Sequence, residues 1–279
     1  MRCSTKKAFP RTTRERRSIV DPMTSLTSGS RARNCLLAAA VADSGVAGRA
    51  SSERSLPFDL PRLSNTFWLA LATCEAIARS GGRIGGEQAA LVLREWFDAR
   101  RFPNLGADGM KPLRDLAAGV PWTVSGSDDD GTRVAAIIRV APLAFVLDHA
   151  NDGDRALLTE TVCITSVDPR ALDDAQAMLA AMRSCLDRGV VDDATTLGSA
   201  LHPSLAMALQ CASDADDLEA ALVSATACDD SENVGTMTGL LLGAAGYEIP
   251  AAFVSKIPER DTIDAIIEPF TQLLAAAGN

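Results

Sequence analysis

Residues 229–250 read DDSENVGTMTGLLLGAAGYEIP, and they carry the strongest pattern in the chain. The carboxylates of Asp229, Asp230 and Glu232 precede a run of small and apolar residues, which predicts a helix over 231–246. Carboxylates at a helix start either bind a hard cation through their oxygens or are stabilised by the positive end of the helix. The segment therefore predicts a small-residue helix with an acidic start, and both interpretations of the acids stay open.

The composition favours a single compact all-α domain of many helices. Of 279 residues, 47% are hydrophobic and only 4% aromatic, so the chain can bury one large core built mostly from Ala, Leu and Val. Helix formers dominate the periodic stretches, and no apolar run reaches transmembrane length. Helices are expected at 31–46, 65–80, 86–100, 110–118, 132–149, 168–187, 203–211, 215–227 and 231–246, with a final pair between 250 and 277 and an exposed turn at 125–131.

Basic residues are concentrated at the start of the chain. Residues 1–33 contain nine Lys or Arg against two acids, a net charge of +7, so the rest of the chain carries −16 and the whole chain −9. Residues 1–30 lack an apolar period and are expected to form a disordered basic leader before a domain over 31–279. Three roles stay open: a flexible extension with Met23 as an internal start, a targeting or export signal, or a partner-binding arm. The acidic body is expected to repel nucleic acid and membrane surfaces.

The seven cysteines indicate reduced thiols rather than disulfides or a zinc site. Their number is odd, they are scattered, and none lies in a Cys-x-x-Cys pair, which is typical of a cytoplasmic protein. His149 and His202 are the only histidines, so no zinc ligand set and no Ser-His-Asp or Cys-His nucleophile can be assembled from the spacing. Both histidines are expected at helix edges as surface or capping residues.

The pattern at 229–250 resembles the signature of the ADP-ribosylglycohydrolase family, including its dinitrogenase-reductase-activating and crystallin J1-like members. In that signature Asp-x-Asp-Thr opens the helix, and Gly-Ala and Ile-Pro follow. Here Glu232 and Asn233 replace the second Asp and the Thr. Residues 36–43 and 138–143 match two further segments of the family. The resemblance covers about residues 31–275 and implies the all-α fold of that family.

The same comparison shows site residues of the family that this chain lacks. Ser64 and Asn65 stand where a Thr-Asp-Asp-Thr stretch would supply two metal-binding carboxylates. Residues 133–135, Arg-Val-Ala, replace a Gly-Asn-Gly loop that would hold ribose, and Ser166 replaces the histidine of a Thr-His-x-x-Pro turn. The resemblance thus extends over the scaffold more completely than over the site.

Five other residues have expected roles. By the resemblance, Gly106 and Gly109 would approach the substrate phosphates, and Ser166 would also contact the substrate. Asp43 lies in an otherwise apolar helix, either as a relic of the ligand site or as a solvated or hydrogen-bonded acid. Arg139 is flanked by apolar residues and is expected to order buried carbonyls or an acid rather than to bind phosphate.

The metal-binding carboxylates of the family are reduced to two in this chain. Asp230 and Glu232 keep their charge, whereas Asn65 and Thr66 offer neutral oxygens. The negative charge that compensates a divalent cation for its lost hydration water is therefore about halved. We expect no binuclear centre and no cofactor beyond at most one weakly held Mg²⁺ on these four residues. The alternative is that the acids only cap the helix N-terminus.

Site residues of the family are missing at several separate places in the chain. This distribution indicates that selection for catalysis is relaxed. The resemblance therefore implies a non-catalytic family member that binds an ADP-ribosylated protein, a nucleotide or a protein partner. Two alternatives stay open: an active ADP-ribosyl hydrolase with a single weakly held Mg²⁺, and a secreted effector whose first thirty residues are an export signal.

Overall fold

The computed structural model describes residues 27–46, 63–103, 110–148, 151–192 and 200–277. The regular secondary structure in these ranges consists of helices. In chain order they are α1 (Ser28–Val46), α2 (Asn65–Arg79), α3 (Gly86–Asp98), α4 (Lys111–Ala117), α5 (Asp130–Val140), a 3₁₀ helix (Ala141–Phe145), α6 (Asp152–Cys163), α7 (Pro169–Arg188), α8 (Pro203–Asp214), α9 (Leu218–Ala225), α10 (Ser231–Ala245), α11 (Ala251–Val254) and α12 (Arg260–Ala277). Within these ranges no helix is long and apolar enough to cross a membrane. The predicted all-α fold is confirmed.

The centre of the core is the contact between α1 and α10. Helix α10 also packs against α7, α8 and α9, and α1 packs against α12. Gly239 and Gly243, one turn apart in α10, present bare backbone to α1. A Cβ atom on Gly239 would lie 2.6 Å from the Ala38 carbonyl oxygen, and one on Gly243 would lie 2.5 Å from the Cys35 Cα. The two backbones are therefore in direct contact, which only glycine allows at these positions.

Local capping explains several helix boundaries. The Ser64 hydroxyl accepts a hydrogen bond from the Phe67 N–H at 3.2 Å at the start of α2. Asp168 accepts one from the Arg170 N–H at 2.9 Å at the start of α7. The same helix ends at Gly189, whose φ of 65° is the left-handed conformation that glycine adopts without strain. The sequence predicts this helix over 168–187 from the Asp168–Pro169 pair at its start, and the structure has it over Pro169–Arg188.

Among the predicted boundaries that differ from the structure are those of α1 and α5. Helix α1 begins at Ser28, three residues inside the predicted leader over 1–30, and residues 1–26 lie outside the described residues. The helix expected at 132–149 begins at Asp130 and ends at Val140, where the chain tightens into the 3₁₀ helix. Pro142 causes this change because it has no N–H to continue the α-helical hydrogen bonds.

Helix α6, Asp152–Cys163, has no counterpart among the predicted helices. Its sequence, DGDRALLTETVC, has few apolar residues and begins with a Gly between two Asp, which is typical of a turn. The Asn151 side-chain Oδ1 caps it by accepting from the Gly153 N–H at 2.8 Å. The N-cap and the packing against α3 and α7 thus stabilise a helix that the apolar periodicity of the sequence does not indicate.

Gly239→Ala tests the direct α1–α10 contact. The added Cβ would meet backbone atoms of Ala38 and Ala39 at 2.6 and 2.8 Å, so the helices must separate. We expect the free energy of unfolding, measured with urea, to fall by about 1–3 kcal/mol. Gly131→Ala in the exposed first turn of α5 is the control, since its Cβ would approach only the Asp129 Oδ1 at 3.3 Å. Unchanged stability of Gly239→Ala would contradict the contact.

Candidate functional site

Asp43 is the buried centre of a polar cluster between α1, α2 and α10. Its side chain is fully buried and accepts hydrogen bonds from the Ser64 N–H at 2.6 Å, the Ser64 hydroxyl at 2.5 Å and the Thr236 hydroxyl at 2.6 Å. Burial raises the pKa of Asp43, and the hydrogen bonds from Ser64 and Thr236 partly oppose that rise. Of the interpretations left open by the sequence, the hydrogen-bonded acid describes this residue.

A chain of hydrogen bonds runs from this cluster to the start of α10. The hydroxyls of Ser64 and Thr66 lie 2.8 Å apart, and the Thr66 hydroxyl donates to the Asn233 Oδ1 at 3.2 Å. The Asn233 Nδ2 donates to the Asp230 Oδ1 at 2.9 Å, and the Ser204 hydroxyl donates to the Asp230 Oδ2 at 2.6 Å. Both carboxylate oxygens of Asp230 therefore already accept protein donors.

The predicted capping role of the acids needs correction at Asp230. This residue occupies the N-cap position of α10, but its side chain accepts no hydrogen bond from a backbone N–H of the helix. The side-chain donors of Ser204 and Asn233 hold the carboxylate instead. Glu232 does lie in the first turn of α10, where negative charge is favourable, and Asp229 is exposed in front of it.

Glu232 is held among other acids at the edge of the cluster. It keeps an exposed surface, yet the surrounding protein removes part of its water and raises the pKa of its carboxyl group to about 7. The charges of Asp43 and Asp230 contribute to this rise, and a hydrogen bond from Ser64 opposes it. Glu232 thus changes its charge near neutral pH.

The predicted metal ligands are only partly brought together. Thr66 and Asp230 are joined through Asn233, and Glu232 lies within electrostatic range of Asp230. The Asn65 Oδ1 is buried and has no hydrogen-bond partner in the described part of the chain. Asn65 therefore retains an acceptor that no described protein donor uses, whereas each carboxylate oxygen of Asp230 accepts one protein donor.

The residues present do not fit a two-metal centre. Two divalent cations need several converging carboxylate oxygens to offset their charge. Asp43 is fully buried with three protein hydrogen bonds to its carboxylate, and Ser64 and Asn65 carry no charge. Among the described residues, no group of three or more His, Cys, Asp or Glu side chains is placed to hold a metal ion.

A buried ion pair occupies the place of the expected ribose loop. The Arg133 Nε donates to the Asp174 Oδ2 at 2.6 Å, and both side chains are at least 95% buried. The other oxygen of Asp174 accepts from the His202 backbone N–H at 2.8 Å. A long charged side chain therefore fills the position where the resemblance expects glycine.

His202 is a capping residue, as expected, but it does not lie on the surface. Its side chain is buried, and the Nδ1 accepts from the Ser204 N–H at 3.2 Å at the start of α8. Because Nδ1 is an acceptor, the ring proton is on Nε2, which lies 3.2 Å from the Asp130 Oδ2 and donates to it. Within the described ranges, no hydroxyl forms a hydrogen bond with this ring that would make it a nucleophile. His149 lies outside the described residues.

Arg139 and Ser166 lie in a second buried region. The fully buried Arg139 donates through Nη2 to the Thr161 carbonyl oxygen and, at 3.0 Å, to the Thr165 hydroxyl, which confirms its predicted structural role. Burial lowers the pKa of Arg139 to about 10. The Ser166 hydroxyl is buried and finds no partner among the described residues, so its substrate contact stays a prediction. Gly106 and Gly109 fall outside the described residues.

Three members of the network are absent from the sequence prediction: Ser204, Thr236 and Asp174. Thr236 lies one helical turn after Glu232, a spacing that places both on one side of α10 and gives a signal for it. Ser204 and Asp174 approach from α8 and α7, and no local spacing relates them to Asp230 or Arg133. Their roles depend on tertiary packing.

Asp43→Ala tests the structural role of the buried acid. The substitution leaves the Ser64 N–H and two hydroxyls without their acceptor, so we expect a loss of about 2–4 kcal/mol in the free energy of unfolding. Asp43→Asn should retain most of the stability. Its amide oxygen can accept from the Ser64 N–H, and the hydroxyls of Ser64 and Thr236 can rotate so that they accept from its NH₂ group. The exposed Asp229→Ala is the control for urea unfolding. Equal losses for Asp43→Ala and Asp43→Asn would contradict this role.

Glu232 should make stability depend on pH. Its folded-state pKa, about 7, is above the ordinary value of 4.5, so the folded protein binds more protons than the unfolded chain between these values. Stability is therefore lost as pH rises through this window. Glu232→Gln should equal the wild type at pH 4.5 and exceed it at pH 8 by no more than about 1 kcal/mol, since solvent screens an exposed carboxylate. Parallel pH profiles of unfolding would contradict the assignment.

Known proteins match both the sequence and the fold. The sequence model described as ADP-ribosylglycohydrolase matches residues 24–204 and 191–279. A solved structure titled "ADP-ribosylglycohydrolase-related protein complex" is similar to the chain, with a TM-score of 0.68 and 19% identity over 89% of this chain and 99% of that one. No curated protein matches. Because the two matched segments cover well over half of the sequence, the chain belongs to the ADP-ribosylglycohydrolase family.

Proposed function

We propose that this family member binds an ADP-ribose-like ligand, either as a free nucleotide or carried on a protein, and does not hydrolyse it. The observation that carries the proposal is that protein hydrogen bonds already hold the carboxylates at the site. Asp43 and Asp230 each accept protein hydrogen bonds at both carboxylate oxygens, so their charge is already compensated inside the fold. Ser64 and Asn65 add no negative charge beside them, so a cation here would meet fewer carboxylates than a metal pair needs.

The second support is the Arg133–Asp174 ion pair. A glycine loop lets a backbone approach a sugar closely, whereas Arg133 fills that space and is held by a 2.6 Å bond to Asp174. Cleavage of a glycosidic bond needs the sugar carbon placed accurately, and a small displacement costs about a hundredfold in rate. Binding tolerates such a displacement better than catalysis does.

The protein partner in this proposal is either an ADP-ribosylated protein or a protein such as an ADP-ribosyltransferase. Action in the cytoplasm, with residues 1–30 as a basic leader, stays our prediction, and a role of that leader in export is the alternative.

One observation favours the runner-up, an active hydrolase with a single Mg²⁺. The buried Asn65 Oδ1 has no partner among the described residues, and Glu232 adds a carboxylate beside Asp230. An unused carbonyl oxygen and a carboxylate are ligands that Mg²⁺ accepts. Such an ion would have two fewer protein charges than a full carboxylate set provides.

Calorimetry on the full chain separates the two functions. We expect ADP-ribose to bind in the presence of a chelator, with an affinity that changes less than about twofold when Mg²⁺ replaces the chelator. A variant that restores the family pattern, Ser64→Asp with Asn65→Asp, Glu232→Asp and Asn233→Thr, should bind Mg²⁺ at least about tenfold more tightly because each added charge offsets lost hydration. Its hydrolysis should stay poor while Arg133 remains.

The control for calorimetry is Asp229→Asn, which changes an exposed acid next to the site. It should leave both affinities unchanged. Release of ADP-ribose from a modified substrate by the wild type, in a Mg²⁺-dependent way, would replace the binding proposal with the one-metal hydrolase. Absence of any ADP-ribose binding, with or without Mg²⁺, would contradict both and favour a protein partner.

A further inference from the structure

A cavity of about 410 Å³ lies between the last turns of α2 and the first half of α12. Its volume is in the range of cavities that hold a small organic molecule. Asn65 and Glu75 are ten residues apart in α2, so this α2–α12 cavity lies about 15 Å along the helix from the polar cluster. The cavity is lined by Glu75, Ala78, Arg79, Arg101, Thr262, Ala265, Ile266 and Pro269.

The wall that α12 supplies is mostly apolar. Ala265 and Pro269 lie one turn apart in α12 and are exposed, and the buried Ile266 lies beside them. Ala78, which is half-buried, lines the cavity from α2. These four side chains carry no polar group, and Ala265 is small enough to leave room in front of it. An apolar body that covers this wall would release the water there, which favours binding.

The wall opposite carries two guanidinium groups and one carboxylate. Glu75 accepts from Arg79 at Oε1. At Oε2 it accepts from the Trp96 Nε1 at 2.9 Å and from the Arg101 Nη1 at 2.8 Å. Arg79 also donates to Glu95, which lies outside the lining. Within the described ranges, the Nε and Nη2 groups of Arg101 donate to no acceptor, so Arg101 is the cation with donors left for a ligand.

The chain holds Arg101 in a fixed place. Its guanidinium carbon lies 3.8 Å from the centre of the Trp96 ring, and its backbone N–H donates to the Trp96 carbonyl oxygen at 2.9 Å. Arg100, just before it, has a φ of 54°, a left-handed conformation that is uncommon for a residue other than glycine. A guanidinium held in this way loses little freedom when it binds an anion.

We propose that the α2–α12 cavity is a binding site for a small organic carboxylate. Its apolar body would lie on Ala265, Ile266 and Pro269, and its carboxylate would accept from the Nε and Nη2 groups of Arg101. The planar guanidinium presents paired N–H groups that match the two oxygens of a carboxylate. A neutral apolar molecule would leave these donors unused, and a cation would be repelled by Arg79 and Arg101.

This site is independent of the proposed function. The residues that line it include none of the polar cluster around Asp43 and Asp230, and Asn65 lies about 15 Å away along α2. Carboxylate binding should therefore not compete with ADP-ribose. A protein that fails to bind ADP-ribose would contradict the proposed function and leave this site as it is.

The test is calorimetry on the full chain with 2-naphthoate and octanoate, which carry the same carboxylate on a flat and on a flexible apolar body. We expect at least one of them to bind. Its uncharged amide, 2-naphthamide or octanamide, should bind at least about tenfold more weakly, because the charge-assisted bonds to Arg101 are lost. Saturating ADP-ribose should change the affinity for the carboxylate by less than about twofold.

Three variants locate the binding. Ala265→Phe fills the cavity from an exposed position and should weaken carboxylate binding at least about tenfold, whereas Ala276→Phe, exposed in the last turn of the same helix and outside the lining, is the matched control. Arg101→Gln should weaken binding of the carboxylate about tenfold and leave that of the amide within about twofold. Thermal unfolding of each variant checks its fold.

Four results would overturn the proposal: no binding of either carboxylate, equal affinity for acid and amide, displacement of the carboxylate by ADP-ribose, or wild-type affinity in Ala265→Phe. The comparison of acid with amide uses the wild-type protein, so the proposal stays testable even if Arg101→Gln fails to fold.

Discussion

The direct contact between the backbones of α1 and α10 is the constraint on which the rest of the structure depends. Gly239 and Gly243 allow it because any Cβ at these positions would lie within about 2.6 Å of α1 backbone atoms. One turn from Gly239 along α10 is Thr236, and its hydroxyl reaches Asp43 of α1 at 2.6 Å. The apolar contact and the polar cluster thus belong to a single interface, and the helix spacing that buries the core also brings the acid to its donors.

From that interface the polar network extends through five helices. Asp43 is linked through Ser64, Thr66 and Asn233 to Asp230, so donors from α2 and α10 meet acids from α1 and α10. Helix α8 joins through the hydroxyl of Ser204, and α7 joins next to it, where Asp174 accepts from the His202 N–H. A buried acid that accepts several hydrogen bonds is tolerated without a counter-ion.

The sequence predicts helices well where caps and apolar periodicity agree, and less well where tertiary packing decides. The starts of α2 and α7 follow from Ser64 and from the Asp168–Pro169 pair, whose local chemistry is visible in the sequence. Helix α6 is missed because its residues lack an apolar stripe, and the cap at Asp230 is predicted wrongly because Ser204 arrives from another helix. The structural role of Arg139 is predicted correctly because a lone charge among apolar residues has few alternatives to buried carbonyls.

The Arg133–Asp174 pair makes Arg133 difficult to replace by glycine. Both side chains are almost fully buried, and each partner compensates a charge that would be costly alone. Asp174 also accepts from the His202 N–H, at the point where α8 begins and where Ser204 holds Asp230. Glycine at position 133 would leave Asp174 charged, buried and without its cation, which costs several kcal/mol when one partner of a buried pair is removed. Arg133 is therefore part of the support for α8 and for the start of α10. Restoring the metal ligands alone leaves that support in place, so metal binding and sugar placement are separate requirements in this fold.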